Sequence, residues 1–102
     1  MKVHDVLLEV ARHQLTEEEA ESVLDKILDS DEAKNAEALL ALSRAEWTAH
    51  CQGATFTDLA DWRYHGWPIQ CTECGQEISI DKFGWKIIDV ADVSKLRHIR
   101  CP

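Results

Sequence analysis

The chain has 102 residues, 45% of them hydrophobic, and a formal net charge of −8 at pH 7. That length builds one ordinary domain or two very small ones and buries a modest share of the surface, so a metal or a partner is an expected source of stability. Residues 1–46 hold twelve acidic and five basic side chains, and residues 47–102 seven and six; the front half should therefore repel a phosphate backbone.

The chain opens on "MKVHDVLLEVARHQL", a short apolar stretch broken by Asp5, Glu9 and Arg12. It lacks the apolar core and cleavage site of a signal peptide. No run of eighteen apolar residues follows anywhere, so no membrane span is expected. The expected location is the cytoplasm, where four cysteines serve as metal ligands or free thiols rather than disulfides.

Val3, Val6, Leu7, Val10 and Ala11 recur at helical spacing and predict a first helix. In "TEEEAESVLDKIL", Thr16 caps a second helix and Glu19 completes a capping box. Ala20, Val23, Leu24, Ile27 and Leu28 form its apolar stripe. A third helix is expected through "EAKNAEALLAL". Ser43 and Glu46 form a second capping box, which starts a fourth helix near Arg44; Gly53 stops it. A fifth covers "FTDLADWRYH" and ends at Gly66. Beyond Trp67 the pattern turns to strand. "EISID" and "WKIIDV" are predicted strands with "KFG" as the turn between them, and "LRHIRC" a last short strand.

The stretch "QCTECGQEISI" holds the most informative spacing. Cys71-x2-Cys74 is matched, twenty-three residues on, by His98-x2-Cys101. Two close-spaced pairs of thiolate and imidazole donors suit one tetrahedral zinc ion, although iron takes the same donors. Gly75 gives the knuckle the positive φ that such a turn needs. Four ligands fill the shell, and no H-x-E pattern lies near them, so the zinc is expected to be structural. A thioredoxin-type redox pair fits less well, because that motif opens a helix. His50 and Cys51 are also candidate ligands, but neighbours on a helix point about 100° apart, and Cys51 is read as a buried core thiol.

With its CxxCG knuckle, hairpin and second pair in "HIRCP", the segment 71–102 resembles the zinc ribbons, with His98 standing where most ribbons carry cysteine. The expected fold is α+β: a bundle of four to five helices followed by a small zinc-bound β-hairpin unit. Residues 1–66 form the acidic helical region, and residues 67–102 the zinc-ribbon-like unit packed on it.

Arg44 to Tyr64 also resembles a helix-turn-helix, through Ala49, Gly53, Leu59 and Trp62. Its second helix offers Thr55, Thr57, Asp58 and Asp61, with Arg63 the one cation, where a DNA reader places cations and amides. Trp47 and Trp62 read as core, Trp67 as packing between the helices and the zinc unit, and Trp85 as a cover for the metal site. The glutamates from Glu17 to Glu21 read as a solvated face or a surface for a basic partner. No phosphate loop or nucleophile–base arrangement accompanies His50 or His65, so no enzyme is expected. The expectation is an acidic cytoplasmic zinc-binding adaptor that contacts proteins, one candidate contact being a homodimer through the N-terminal helices. The alternative is a helix-turn-helix plus zinc-ribbon DNA-associated regulator, although nucleic acid is not the favoured partner.

Overall fold

The five helices are short, so each depends on its caps and on the face it buries. They are Val6–Ala11 (α1), Glu17–Leu28 (α2), Ala36–Leu39 (α3), Arg44–Cys51 (α4) and Phe56–His65 (α5), followed by one hairpin of Trp85–Val90 (β1) and Val93–His98 (β2). The computed structural model describes residues 3–91 and 93–102. None of these helices is long and apolar enough to cross a membrane.

Both expected capping boxes form. Thr16 Oγ1 accepts from Glu19 N at 3.2 Å while Glu19 returns to Thr16 N at 3.0 Å. Ser43 and Glu46 repeat the exchange at 3.1 and 2.8 Å. The expected third helix is shorter than its segment: a 3-10 turn over Ala33–Asn35 leads into the single α-turn of α3. Ala41 ends it in the left-handed region at φ +56. There Leu42 N–H donates to Glu37 O and Ala41 N–H to Ala38 O, the Schellman pattern that usually places glycine where Ala41 stands.

α5 is the central element, burying Phe56, Leu59, Ala60 and Trp62. α1 packs along it with Val6, Leu7 and Val10. Three acidic residues from elsewhere fix its ends. The Glu17 carboxylate, from the start of α2, accepts from Phe56 N at 3.0 Å and Thr57 N at 2.7 Å. It thereby meets the positive end of α5. Near the other end, Arg63 forks onto Glu46 through Nε at 2.7 Å and Nη2 at 2.5 Å. It also donates to Asp5 Oδ1 and to Ala41 O, each at 2.9 Å. Asp5 is the N-cap of α1 and accepts from Leu8 N. One guanidinium thus joins α1, α4, α5 and the end of α3. Glu46 is only 4% exposed. Burial acts to raise its carboxyl, and the hydrogen bonds from Arg63 and Ser43 outweigh it, holding the group below its ordinary value.

The strand expected at Glu77–Asp81 is not formed. Gln70 and Glu77 make one isolated bridge, Ile78 is buried, and Ile80–Lys82 closes a 3-10 turn. β1 pairs instead with β2, from Trp85↔His98 to Val90↔Val93. Alternation then separates two faces. Trp85 and Leu96 are buried on the inner face, with Ile87 packed against the same core. Both edges of the hairpin are tied: Leu96 O accepts from Thr72 N at 3.2 Å on the β2 side, and Ile87 N donates to Gln52 Oε1 at 2.8 Å on the β1 side. Trp67 lies between helix and hairpin as expected. Its ring is 5.0 Å from that of Trp62 and 5.9 Å, edge-on, from that of Trp85.

Three outcomes follow for stability. Arg63→Ala leaves Glu46 buried without its partner and should cost about 3 kcal/mol in urea unfolding. The Glu46 contribution has a defined sign: with its carboxyl depressed below 4.5, it is complete above that value and lost as pH falls through the folded one. Ala41→Gly removes left-handed strain, and its urea midpoint should rise by the equivalent of about 0.5–1 kcal/mol.

Candidate metal centre

The first half of the site is a tight knuckle. Gly75 takes φ +74, which lets its N–H reach back to Cys71 O at 2.9 Å. Cys71 N–H in turn donates to Gln76 O at 2.9 Å. The second half comes from the end of β2. His98 lies in the register opposite Trp85, and its N–H faces outward from the hairpin, donating to Cys71 Sγ at 3.3 Å. Ile99 N–H returns to Gly84 O at 2.8 Å, which carries the chain on to Cys101. The bond from Thr72 to Leu96 lies alongside, so the knuckle extends the pairing along the free edge of β2.

The four expected residues come together: Cys71, Cys74, His98 and Cys101 present one donor atom each, all within 4.8 Å of one another. This group can hold one metal ion. The spacings test the fit. Thiolates bonded at about 2.3 Å to one tetrahedral ion lie about 3.8 Å apart; Cys71 Sγ and Cys101 Sγ are 3.8 Å apart. Cys74 Sγ lies 3.4 Å from His98 Nδ1, near the value of about 3.6 Å for a sulfur–nitrogen pair on such an ion. The side of the His98 ring that faces the sulfurs is therefore Nδ1.

The electrostatics of the group leave room for a cation. Burial acts to raise the Cys71 thiol, and the N–H groups of Cys74, His98 and Glu73 outweigh it, bringing it down to about 5. Cys101 goes the other way, pushed up to about 11 by its hydrogen bond to Cys74, by burial and by Cys71. Three sulfurs this close cannot all carry charge without a positive ion among them, and thiolate ligands need that charge. Arg97 braces the site from beside it, 3.6 Å from Glu73.

Cys51 does not join the group and is exposed rather than buried. It lies two residues beyond the inward-facing Ala49, about 200° round the helix. His50 serves packing: Nδ1 is 2.8 Å from Ala54 O, and the ring stacks on Phe56 at 4.3 Å. The Glu73–Arg97 pair has no sequence signal, because nothing in their spacing places knuckle and strand side by side. No family model, curated protein or solved structure matches the chain.

The arrangement sets a thiol pattern. Metal-loaded protein should show one fast thiol with a chromogenic disulfide reagent, Cys51, and release the remaining three after chelation. Four thiols reacting together without chelator would defeat the site.

Proposed function

We propose that Cys71, Cys74, His98 and Cys101 bind one structural zinc ion in a zinc-ribbon-like unit, and that the chain is a cytoplasmic zinc-binding module acting by protein–protein contact. The convergence of four donors within 4.8 Å carries the zinc assignment. Three sulfurs and one imidazole nitrogen form a borderline-soft set that suits zinc, with no place left for a reacting water. The ion's work on this reading is structural. A two-stranded hairpin is marginal in water, and binding free energy at such a site becomes folding free energy. On the same reading the chain is not an enzyme.

The interaction role is supported by what the chain offers and lacks. Arg63, the one cation of the expected recognition helix, is engaged by Glu46, Asp5 and Ala41 O. Four of its five N–H donors are taken within the fold, which weighs against the helix-turn-helix reading. The acidic face is smaller than the sequence suggests, since Glu17 caps α5 and Glu19 closes its own capping box.

Elemental analysis of protein purified without chelator should give one zinc per chain; less than about a tenth would remove the assignment. Strong chelator should shift tryptophan fluorescence through Trp67 and Trp85 while far-UV helicity largely persists, because the ion pair at Arg63 lies in the helices. Helicity lost in the same step would show that the helices need the metal too. Fluorescence anisotropy should detect no binding to random DNA duplexes at physiological salt and micromolar protein. Tight, salt-sensitive binding would restore the regulator reading.

A further inference from the structure

We propose that the outer face of the hairpin, with the groove beside it, docks an extended peptide segment of a partner protein in which acidic and aliphatic side chains are combined. This rests on the reading of the chain as a zinc-stabilised interaction module and names where the partner sits.

Strand alternation places Lys86, Ile88 and Val90 of β1 beside Arg97, Lys95 and Val93 of β2 on the face turned away from the core. Val90 and Val93, paired across the hairpin, are 46% and 51% exposed. Lys95 lies next to this aliphatic pair, Lys86 and Arg97 are paired further along the same face, and no acidic side chain shares the strand face among the described residues. Arg97 leans on Glu73, whereas Lys86 and Lys95 have no ion-pair partner among the described residues. On a chain of net charge −8, this is a local reversal of sign. Alongside runs a groove of about 820 Å³, with Val90 and Lys95 on one side and Pro68, Ile69 and the Cys71–Gly75 knuckle on the other. Ile69 is itself 38% exposed.

Charge selects the occupant. An acidic side chain meets Lys86 or Lys95, and an aliphatic neighbour covers Val90, Val93 or Ile69. A short peptide carries its charge locally and approaches by this face alone, since the rest of the chain repels it. A nucleic-acid strand needs a tracked row of cations and aromatic platforms for its bases, and the hairpin face has no aromatic residue. An anionic membrane is repelled by the net charge. A second copy offering its own acidic helix would make a head-to-tail contact, which does not close on itself and grows.

The groove has a metal-dependent shape. One wall carries Cys71 and Cys74, and the other is formed by Val90 of β1 and Lys95 of β2, the strand that ends in His98. Removing the ion leaves the knuckle held to β2 by the hydrogen bonds of Thr72 and His98, which loosens the groove, so docking requires the loaded site.

The test uses the full chain with its zinc content measured first. A random library of displayed peptides, each about ten residues long, is selected on the immobilised zinc-loaded protein. Enriched peptides are then synthesised, and their affinities are read by fluorescence anisotropy. The expected result is enrichment of Asp or Glu together with Leu, Ile or Val. Lys95→Glu and Val93→Asp should each weaken binding about tenfold or more, with melting temperature and zinc content unchanged, and chelator should abolish it. A chain without zinc defeats the metal reading and this surface with it. A zinc-loaded chain that enriches nothing, or peptides that bind Lys95→Glu undiminished, defeat the surface alone. Loss of zinc in Lys95→Glu assigns Lys95 to the metal centre. Preferential binding of an oligo-dT strand or of phosphatidylglycerol vesicles, or growth in mass of the protein alone that Lys95→Glu abolishes, replaces the peptide with another occupant.

Discussion

The helices of this protein depend on Arg63. Its guanidinium meets the Glu46 carboxylate with two donors, Asp5 with a third and Ala41 O with another bond. Each acceptor already has a task. Asp5 caps α1, Glu46 closes the capping box of α4, and Ala41 sits in the left-handed turn that ends α3. A lysine has no such planar fork to share among them. Helices of four to twelve residues would fray separately; one half-buried cation ties the ends of α1, α3, α4 and α5 together. The acceptors hold it protonated, with Glu46 the strongest influence on the raised Arg63 value.

The C-terminal hairpin meets a different constraint. Two strands have two open edges and one face to bury, which is too little to stand alone in water. Three fastenings answer this. Gln52 from the helical half takes the β1 edge, the knuckle takes the β2 edge through Leu96 and His98, and Trp85 enters the same buried cluster as Trp62. The donor group stands where the knuckle meets β2, so an ion there would close the one junction in which both sides are irregular or at an edge. The hydrogen bond from His98 N to Cys71 Sγ shows the link directly: an edge donor of β2, facing away from β1, is spent on a sulfur of the donor group.

What was legible in the sequence follows from how local each cause is. The capping boxes at Thr16 and Ser43 and the full span of α5 are decided within a turn of chain, and the structure has them. The four donors were legible for the same reason, since each pair is a local motif and the matching of the pairs implied the contact between them. The hairpin partner was not. "EISID" alternates as a strand should, but a strand is defined by what lies beside it, and the neighbour of β1 is β2. The connection between them, "AD", lacks the glycine or asparagine that marks a tight hairpin; Ala91 nonetheless takes φ +52. His13 and Ala41 likewise hold left-handed positions at helix ends, φ +59 and +56, where glycine was the sign being sought. Glu17 looked like one of several solvated acids, because its partner, the start of α5, lies some forty residues on.

These long-range pairings change how the net charge should be read. Counting side chains gives an acidic front half and a neutral back half, which suggests a broad anionic surface. Four of the twelve acids of the front half are engaged within the fold: Asp5 and Glu46 hold Arg63, Glu17 holds the N-terminus of α5, and Glu19 holds its own helix start. These groups stabilise the helices, and Glu46 among them is buried. The back half, nominally neutral, divides instead by strand face, with Asp89 on the side that carries Trp85 and with Lys86, Lys95 and Arg97 on the other. Electrostatic recognition depends on the local field at a face rather than on a sum over the chain. The small hairpin, held at both edges, therefore presents a cationic and aliphatic surface that the total of −8 conceals.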